Sequence, residues 1–533
     1  MKNIRIILLI VILFSIGGCK KLLDINEDPA TPQIVKAEYM ISPIIFQMAN
    51  NTATDYRVIF KYTQNMFSQN VVAGSIDWDK HGYAPANDIG GSLWRMTYVN
   101  FGLNLEDMIK EAEANDKWTY AAIGYAVKAW GYQMVTDAHG PVILDEAFIP
   151  NKLTFKYEDQ PIVYGRVKEW CFKSLAYFNK VDGADYTGKL AGPSGDTMFK
   201  GDKTKWRKFI YALIALQYSH LVNKPEFSGS YADSVIKYVD LSFANSSEDA
   251  TIMFNGVTSS DSNPFSANYA LITGVGYGRP GQPIIDLLTG GVRGTAPVDP
   301  KTSIDPRLTR MVNPIATTGI YKGIMPTLGD AATTKTIPHV LGSVTATLAA
   351  PFPGKYIFAN AARFPIMTYA QLQFAKSEAL FYKGNLSGAH AAYINGIKGH
   401  MDFVNTYGLN GLVIAPAITT PEINAYLASS EVAQIPGQLT LADIMGQKYI
   451  AQWGWAGMEQ WCDLRKHHYD PLVFRTFKQL EPSQFYGSNK GKYAYRLRPR
   501  YNSEYIWNRE ELMKWGGLAS DYHTFETWFS LPQ

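Results

Sequence analysis

Residues 364–397 read FPIMTYAQLQFAKSEALFYKGNLSGAHAAYINGI, and this stretch decides the fold. Apolar residues follow a helical period on both sides of Gly384, so the pattern predicts two helices within 366–404 joined by a turn. The small side chain of Ala389 allows the two helices to approach closely, and Tyr393 and Ile397 are expected to fill the seam between them. The stretch therefore predicts a helical hairpin.

The spacing of this hairpin is specific. Gly384, Leu386, Ala389, Tyr393 and Ile397 match the turn and second helix of a tetratricopeptide-like hairpin, of which the chain shows one clear copy. Helical periodicity also occurs at 37–67 with a break near Thr54-Asp55, and at 92–114, 117–136, 161–180, 203–224, 231–243 and 441–464. We therefore predict a mainly α fold, with helical hairpins at about 35–245 and 366–465.

Other stretches lack a helical period. Residues 250–360 are rich in Gly, Pro, Thr and Ser, which predicts an irregular, loop-rich insert with short strands. Residues 466–533 are predicted to form an irregular, aromatic C-terminal tail, and 70–91 a long loop. We expect all of these within one body at 35–533, and we expect the loops to carry the binding function.

The first residues resemble a bacterial lipoprotein signal. A basic start with Lys2 and Arg5 precedes an apolar run from Ile6 to Ile16, which ends in Gly17-Gly18-Cys19. The run is too short to cross a hydrocarbon core of about 30 Å as a helix. We expect 1–18 to be a removed signal peptide, Cys19 to be lipidated and 19–34 to be a tether; an ordinary secretory signal is the alternative.

Composition excludes some functions. Apolar residues make up 46% of the 533 residues and charged residues 18%, as in a globular protein with a large core. The formal charge of +3 falls to about +1 without Lys2 and Arg5, so nucleic acid is not an expected partner. Cys171 and Cys462 are predicted to be buried thiols, with a disulfide as the alternative. No metal-ligand motif is present, and no metal is predicted.

The 70–91 loop contains candidate ligand contacts. Trp78 and Tyr83 offer rings on which a sugar could stack, and Asp77 and Asp79 could accept hydrogen bonds from sugar hydroxyls. The alternative is that the rings simply pack onto the body. Trp94 is predicted to belong to the core.

Residues 276–281 fit the pattern GxGxxG. Pro280 stiffens the turn, Gly290-Gly291 cuts short the following helix, and no βαβ series surrounds it, so dinucleotide binding is rejected and no cofactor is predicted. We interpret the segment as a loop that presents Tyr277 and Arg279 to a ligand, and expect loops 70–91 and 255–285 to set selectivity.

Several titratable residues invite a catalytic interpretation. Asp145, Glu146 and Asp463 could act as glycosidase carboxylates, but we interpret them as capping or ion-pairing residues. His139, His467 and His468 are interpreted as surface or capping residues. No catalytic residue is predicted.

Several segments, in this order, are similar to the SusD/RagB family of nutrient-binding lipoproteins. They are the N-terminus Cys19-Lys-Lys-Leu-Leu-Asp-Ile-Asn-Glu-Asp-Pro, Asp137-Ala-His-Gly-Pro-Val-Ile-Leu-Asp-Glu-Ala, Gly201-Asp202 followed by Lys205-Trp206-Arg-Lys-Phe209, Asp305-Pro306-Arg307-Leu308 with Tyr321-Lys-Gly323, Phe364 to Ala379, and Trp461-Cys-Asp463-Leu-Arg465. The resemblance covers nearly the whole chain.

The resemblance implies a helical body with four tetratricopeptide-like hairpins and an irregular ligand-binding face. It implies a lipid-anchored protein of the outer membrane that faces the cell exterior, captures an oligosaccharide or polysaccharide and delivers it to a SusC-like TonB-dependent transporter. It implies no catalysis. The alternatives are a peptide ligand, a lid that binds mainly its transporter, and a surface glycoside hydrolase.

Overall fold

The computed structural model describes residues 35–71, 76–83, 88–265, 278–330, 336–340, 355–409 and 415–532. The predicted signal peptide, Cys19 and the tether lie outside these residues. None of the helices in this described part of the chain combines the length and the hydropathy that a membrane span requires.

Helices form most of the fold. The main helices before the irregular region are α1 (Ala37–Tyr62), α2 (Gly102–Ala114), α3 (Trp118–His139), α4 (Gln160–Tyr177), α5 (Lys203–Ser219) and α6 (Ala232–Asp240). Those after it are α7 (Tyr369–Tyr382), α8 (Leu386–Tyr407), α9 (Thr420–Leu427), α10 (Leu441–Gln452), α11 (Gly457–Lys466) and α12 (Arg509–Lys514). Neighbours in sequence pack together, α2 on α3, α3 on α4, α5 on α6 and α7 on α8. The predicted mainly α fold is confirmed.

The hairpin of α7 and α8 has the predicted local chemistry. Gly384 adopts a φ of 73° in the turn, a conformation that glycine reaches without steric cost. Asn385 then caps α8 by accepting a hydrogen bond from the Gly388 N–H at 3.0 Å. Ala389, Tyr393 and Ile397 are fully buried in the seam.

Helix α1 is continuous where a break near Thr54-Asp55 was predicted, so that prediction is wrong. The Thr54 hydroxyl donates back along the helix to the Asn50 carbonyl at 2.8 Å. The Asp55 carboxylate accepts hydrogen bonds from the N–H groups of Ser92 and Leu93 at 3.0 and 2.7 Å. Thr54 therefore bonds within α1, and Asp55 bonds the backbone of Ser92 and Leu93, so neither residue ends the helix.

The helix predicted at 441–464 is two helices. Helix α10 ends at Gln452, and α11 begins at Gly457. Between them Gly454 has a φ of 83°, and a β-carbon at this position would lie 2.9 Å from the Phe358 ring. The chain therefore turns at a glycine that approaches a core aromatic closely. Helix α9 was not predicted.

Short antiparallel strand pairs connect distant segments, and two of the three join the irregular region to the helical body. They are β1 (Met66–Phe67) with β5 (Arg279–Pro280), β2 (Val142–Ile143) with β3 (Tyr157–Glu158), and β4 (Ala250–Ile252) with β6 (Phe364–Met367). In the described part of 250–360 the α-helices are short, Gln282–Asp286 and Arg307–Met311. Other short helices are Ile76–Asp79, Ser92–Arg95 and Thr187–Ala191.

The core has the predicted aromatic character. Trp94 is 3% exposed, as predicted, and its ring meets that of His139 with 5.2 Å between centroids. Cys171 and Cys462 are buried free thiols and form no disulfide with each other. Burial raises the pKa of both thiols, which keeps them protonated and unreactive.

Candidate binding groove

The predicted aromatic contacts in loop 70–91 are not surface rings. Trp78 and Tyr83 are each 4% exposed, and their rings meet edge to face with centroids 4.6 Å apart. Trp78 lies in the short helix Ile76–Asp79 and also contacts the ring of Tyr62 in α1. A stacked sugar needs an exposed ring face, so this placement favours the packing alternative for both residues.

The two acids beside Trp78 differ in environment. Asp79 is buried and pairs with Lys61 of α1 at 3.1 Å, so its carboxylate is already engaged. Burial raises the pKa of Asp79 and lowers that of Lys61, while the attraction between the two charges opposes both shifts. Asp77 is half-buried. Asp79 is therefore a core ion-pair residue and is not available to a surface ligand.

The second predicted loop, 255–285, turns inward at Arg279. Arg279 is 2% exposed in β5, and its guanidinium donates to the Gln69 side chain at 2.5 Å. Burial lowers the pKa of Arg279 to about 10. Arg279 is thus a core residue, in contrast to the expectation that it faces a ligand, and Tyr277 lies outside the described residues.

The acids once considered for catalysis form ion pairs. Asp145 pairs with Arg166 at 2.8 Å, Glu146 with Lys152 at 3.2 Å, and Asp463 with Lys448 at 2.7 Å. This geometry agrees with the structural interpretation of these residues.

Two of the three histidines are not on the surface, which corrects the surface part of that expectation, although both stand at helix ends, His139 as the last residue of α3 and His467 as the C-cap of α11. His139 is 1% exposed and its Nδ1 lies 3.1 Å from the Leu497 carbonyl. His467 is buried and its Nε2 contacts Glu378 at 2.8 Å. Only His468 is exposed, and it pairs with Glu526 at 3.2 Å. Aromatic packing at helix ends buries the first two rings.

Asp137, His220 and Cys462 converge in the core, with ligand-type atoms within 4.8 Å of one another. The guanidinium of Arg465 donates to the Cys462 sulfur at 3.1 Å, and His220 Nε2 meets Glu459 at 3.1 Å. A neighbouring guanidinium opposes a bound cation, so this cluster fits a metal poorly. It is better described as a buried ionic and hydrogen-bonded network.

An open groove of about 660 Å³ lies elsewhere, between the loop that joins β2 to β3 and the C-terminal segment 506–514. Asn508 joins the two walls. Its side-chain oxygen accepts from the Phe155 N–H at 3.0 Å, and its amide donates to the Phe155 carbonyl at 2.9 Å and to Glu504 at 3.0 Å. The hydroxyl of Tyr157 donates to the same Glu504 carboxylate at 2.5 Å. The groove therefore has a hydrogen-bonded floor.

Trp507 projects into this groove. Its side chain is 74% exposed, whereas the other 11 tryptophans, all within the described ranges, are buried or half-buried. Its neighbour Ile506 is 50% exposed. An exposed indole above a polar floor is the arrangement that a sugar ring can use, because its C–H face stacks on the indole while its hydroxyls bond to the surroundings.

The rim of the groove is charged. Lys152 pairs with Glu146 at 3.2 Å, and Lys514 with Glu511 at 2.6 Å. The hydrogen bond from the Lys156 N–H, together with Lys152, lowers the pKa of Glu146. Burial would raise the pKa of Glu511, but the hydrogen bond from Lys514 contributes to lowering it. A glycosidase general acid needs a raised pKa, whereas the pKa values of Glu146 and Glu511 are both lowered.

Sequence reasoning missed this site. The predicted tail at 466–533 contains Trp507 between Ile506 and Asn508-Arg509-Glu510-Glu511. A tryptophan in such a polar stretch was the available signal. The opposite wall of the groove is formed by residues about 350 positions earlier in the chain. Phe155 and Asn508, which are hydrogen-bonded across the groove, are 353 residues apart.

Helical hairpins with a loop-rich insert define a mainly α architecture, and known structures share it. A chitin-binding protein superposes with a TM-score of 0.68 at 17% identity, over 93% of this chain and 100% of its own. A SusD/RagB family protein from Bacteroides thetaiotaomicron gives 0.64 at 20% identity, over 93% and 99%. A chitin-binding SusD homolog from Flavobacterium johnsoniae gives 0.60 at 18% identity, over 93% and 96%.

The family is shown by the sequence match. Residues 29–485 match the SusD-like family described as "Starch-binding associating with outer membrane", so the chain belongs to the SusD-like family. No curated protein matches the chain. The resemblance stated from the sequence is confirmed.

Proposed function

We propose that this chain is a lipid-anchored protein of the outer membrane that binds a glycan in the Trp507 groove and delivers it to a SusC-like TonB-dependent transporter. The observation that carries the glycan proposal is the exposed Trp507 above the hydrogen-bonded floor around Asn508. Family membership and the glycan-binding names of two structural relatives support it. Cys19 supplies the lipid, and no catalytic activity is part of the proposal.

The binding strength follows from the geometry. One indole, a floor of fixed amides and a solvated rim give few desolvated contacts, so affinity for a single sugar chain is weak to moderate. An anchor on the same membrane as a transporter raises the effective concentration of each for the other. Weak capture is then sufficient for delivery.

Affinity electrophoresis on a polysaccharide panel tests the site. Trp507→Ala should abolish or strongly reduce retardation by a retained polysaccharide, and Trp507→Phe should keep part of it because a phenyl ring still stacks. Phe172→Ala is the matched control, since Phe172 is 49% exposed on α4 and does not line the groove. Equal retardation of wild type and Trp507→Ala would remove the groove from the proposal.

A second candidate function is a lid that binds mainly its transporter. It is favoured by exposed apolar side chains in the two segments that form the groove, outside its lining, with Leu153 83%, Met513 58% and Ile149 46% exposed. Leu153→Asp should then release the protein from a co-purified outer-membrane barrel while Trp507→Ala does not. Loss of co-purification together with an absence of any glycan binding would favour the lid.

A further inference from the structure

The charges of the Trp507 groove do not cancel. Of its four cationic side chains, Lys152 and Lys514 are paired with Glu146 and Glu511. The other two, Lys156 and Arg509, are exposed and form no ion pair with any residue of the described ranges. The groove thus holds two cations without an ion-pair partner among the described residues beside its exposed indole.

The acids of the groove neutralise its cations only in part, because four cationic side chains stand against the carboxylates of Glu146, Glu510 and Glu511, and the charge of Lys156 contributes to the lowered pKa of Glu146. The Glu146 carboxylate accepts the Lys156 backbone N–H at 2.6 Å and faces Lys152, and Glu511 accepts from the Tyr157 N–H at 3.1 Å and from Trp515 at 3.3 Å. Glu510 follows Arg509 in α12, and successive helical residues point about 100° apart. Glu510 also lies near Lys514, whose pKa it helps to raise after the larger effect of Glu511.

We propose that the groove selects an anionic saccharide, with a sugar ring on Trp507 and a carboxylate or sulfate group between Lys156 and Arg509. This inference rests on the proposed function, whose site it uses. A guanidinium offers paired N–H donors that match the planar carboxylate or the sulfate oxygens, and Lys156 adds a point charge. A ring seated on the indole displaces water and so strengthens both contacts.

The test compares polymers that share a sugar backbone and differ in whether it carries an anionic group. Polygalacturonate is compared with its fully methyl-esterified form, and dextran sulfate with dextran, which separates carboxylate from sulfate as the recognised group. We expect wild-type protein to bind at least one anionic polymer more tightly than its neutral counterpart. The preference should fall as NaCl rises from about 0.1 to about 1 M, because the Debye length shrinks from about 10 to about 3 Å.

Variants assign the preference to the groove. Arg509→Ala and Lys156→Ala should each weaken binding of the anionic polymer about two- to fivefold, the size expected for an exposed charge contact, and leave the neutral polymer unchanged. Lys301→Ala is the matched control, since Lys301 is exposed and does not line the groove.

The outcomes distinguish failure of the anionic preference from failure of the glycan proposal. Equal binding of charged and neutral polymers, abolished by Trp507→Ala, overturns the anionic preference and leaves the glycan proposal standing. An anionic preference that survives both groove variants also overturns this inference. Binding of vesicles containing phosphatidylglycerol, with no saccharide bound, overturns it and the glycan proposal together.

Discussion

The indole side chains of Trp507 and Trp78 lie in opposite environments. Trp507 is 74% exposed above polar groups, whereas Trp78 is 4% exposed between the rings of Tyr62 and Tyr83. A buried indole contributes packing and desolvation energy, and an exposed one contributes little until a ligand covers it. Substitution of Trp78 should therefore change the stability of the fold, whereas substitution of Trp507 should change ligand binding.

We expect Trp78→Ala to lower the free energy of unfolding by about 3–5 kcal/mol, because it leaves a cavity among aromatic rings. Trp507→Ala should change it by no more than about 0.5 kcal/mol. Urea denaturation followed by circular dichroism measures both. A large loss of stability in Trp507→Ala would mean that its effect on glycan binding is indirect.

Glu378 is fully buried and contacts Lys466 and His467, each at 2.8 Å. Burial alone would raise the pKa of Glu378, but Lys466 and His467 lower it well below its usual range. Glu378→Gln leaves Lys466 less compensated in the core, and we expect a loss of about 3–5 kcal/mol at pH 7. The exposed Glu169→Gln, whose partner is Arg166, should cost no more than about 1 kcal/mol.

The sign of the pH dependence follows from the lowered pKa. The stabilisation by Glu378 is complete above the unfolded-state pKa of about 4.3 and declines as the pH falls toward the folded-state value. The stability difference between wild type and Glu378→Gln should therefore shrink below about pH 4. Urea midpoints between pH 3 and 7 measure it, and a constant difference over that range contradicts the assignment.

At the scale of elements, glycines set how closely α7 and α8 pack. A β-carbon at Gly396 would lie 2.7 Å from the Phe374 ring, and one at Gly399 would lie 2.6 Å from the Tyr369 ring. Both distances are too short for non-bonded carbon atoms, so glycine is required by the neighbouring helix. The sequence pattern assigned close approach to Ala389, which is fully buried but shares this role with two glycines.

We expect Gly396→Ala to destabilise the protein by about 1–3 kcal/mol, because the overpacking exceeds the gain in helix propensity. Gly165→Ala in α4 is the control, since no atom lies within 4 Å of the added carbon, and it should stabilise by about 0.5–1 kcal/mol. Thermal unfolding measures both changes. Stabilisation of the Gly396 variant would show that α7 and α8 can separate without cost.

At the scale of the whole molecule, the candidate binding groove depends on contacts between distant parts of the chain. Asn508 bonds Phe155 through both its oxygen and its amide, across a separation of 353 residues. The other wall of the groove is the loop between β2 and β3, and the pairing of these strands, with Val142 opposite Glu158, fixes the two ends of that loop. The groove therefore exists only when the C-terminal segment is docked.

We expect Asn508→Ala to lower the free energy of unfolding by about 1–3 kcal/mol, because it leaves the Phe155 backbone groups without this partner and removes one of the donors to Glu504. Amide hydrogen exchange should accelerate in 146–158 and 501–514, and glycan retention should weaken. Asn502→Ala, with an exposed side chain, is the control. Unchanged exchange in 146–158 would show that the two walls are held by other contacts.

Part of this molecule was predictable from sequence. Helical periodicity predicted α3 to α8 within about five residues and the end of α2, and Gly384 predicted the turn of the hairpin, because these signals act between residues close in the chain. The start of α2 was predicted at 92 and lies at Gly102. The unbroken α1 was not predictable, since Asp55 is satisfied by Ser92 and Leu93 far along the sequence.

The sequence by itself determined the helical class, the hairpin spacing and the family resemblance, because local propensity and ordered motifs need no knowledge of distant contacts. Only the tertiary structure decided which aromatics face solvent. Trp78 and Tyr83 pack against α1 and become core, whereas Trp507 lies over a floor built by Asn508 and Phe155. Exposure depends on what covers a side chain, and here the covering residues come from remote parts of the chain.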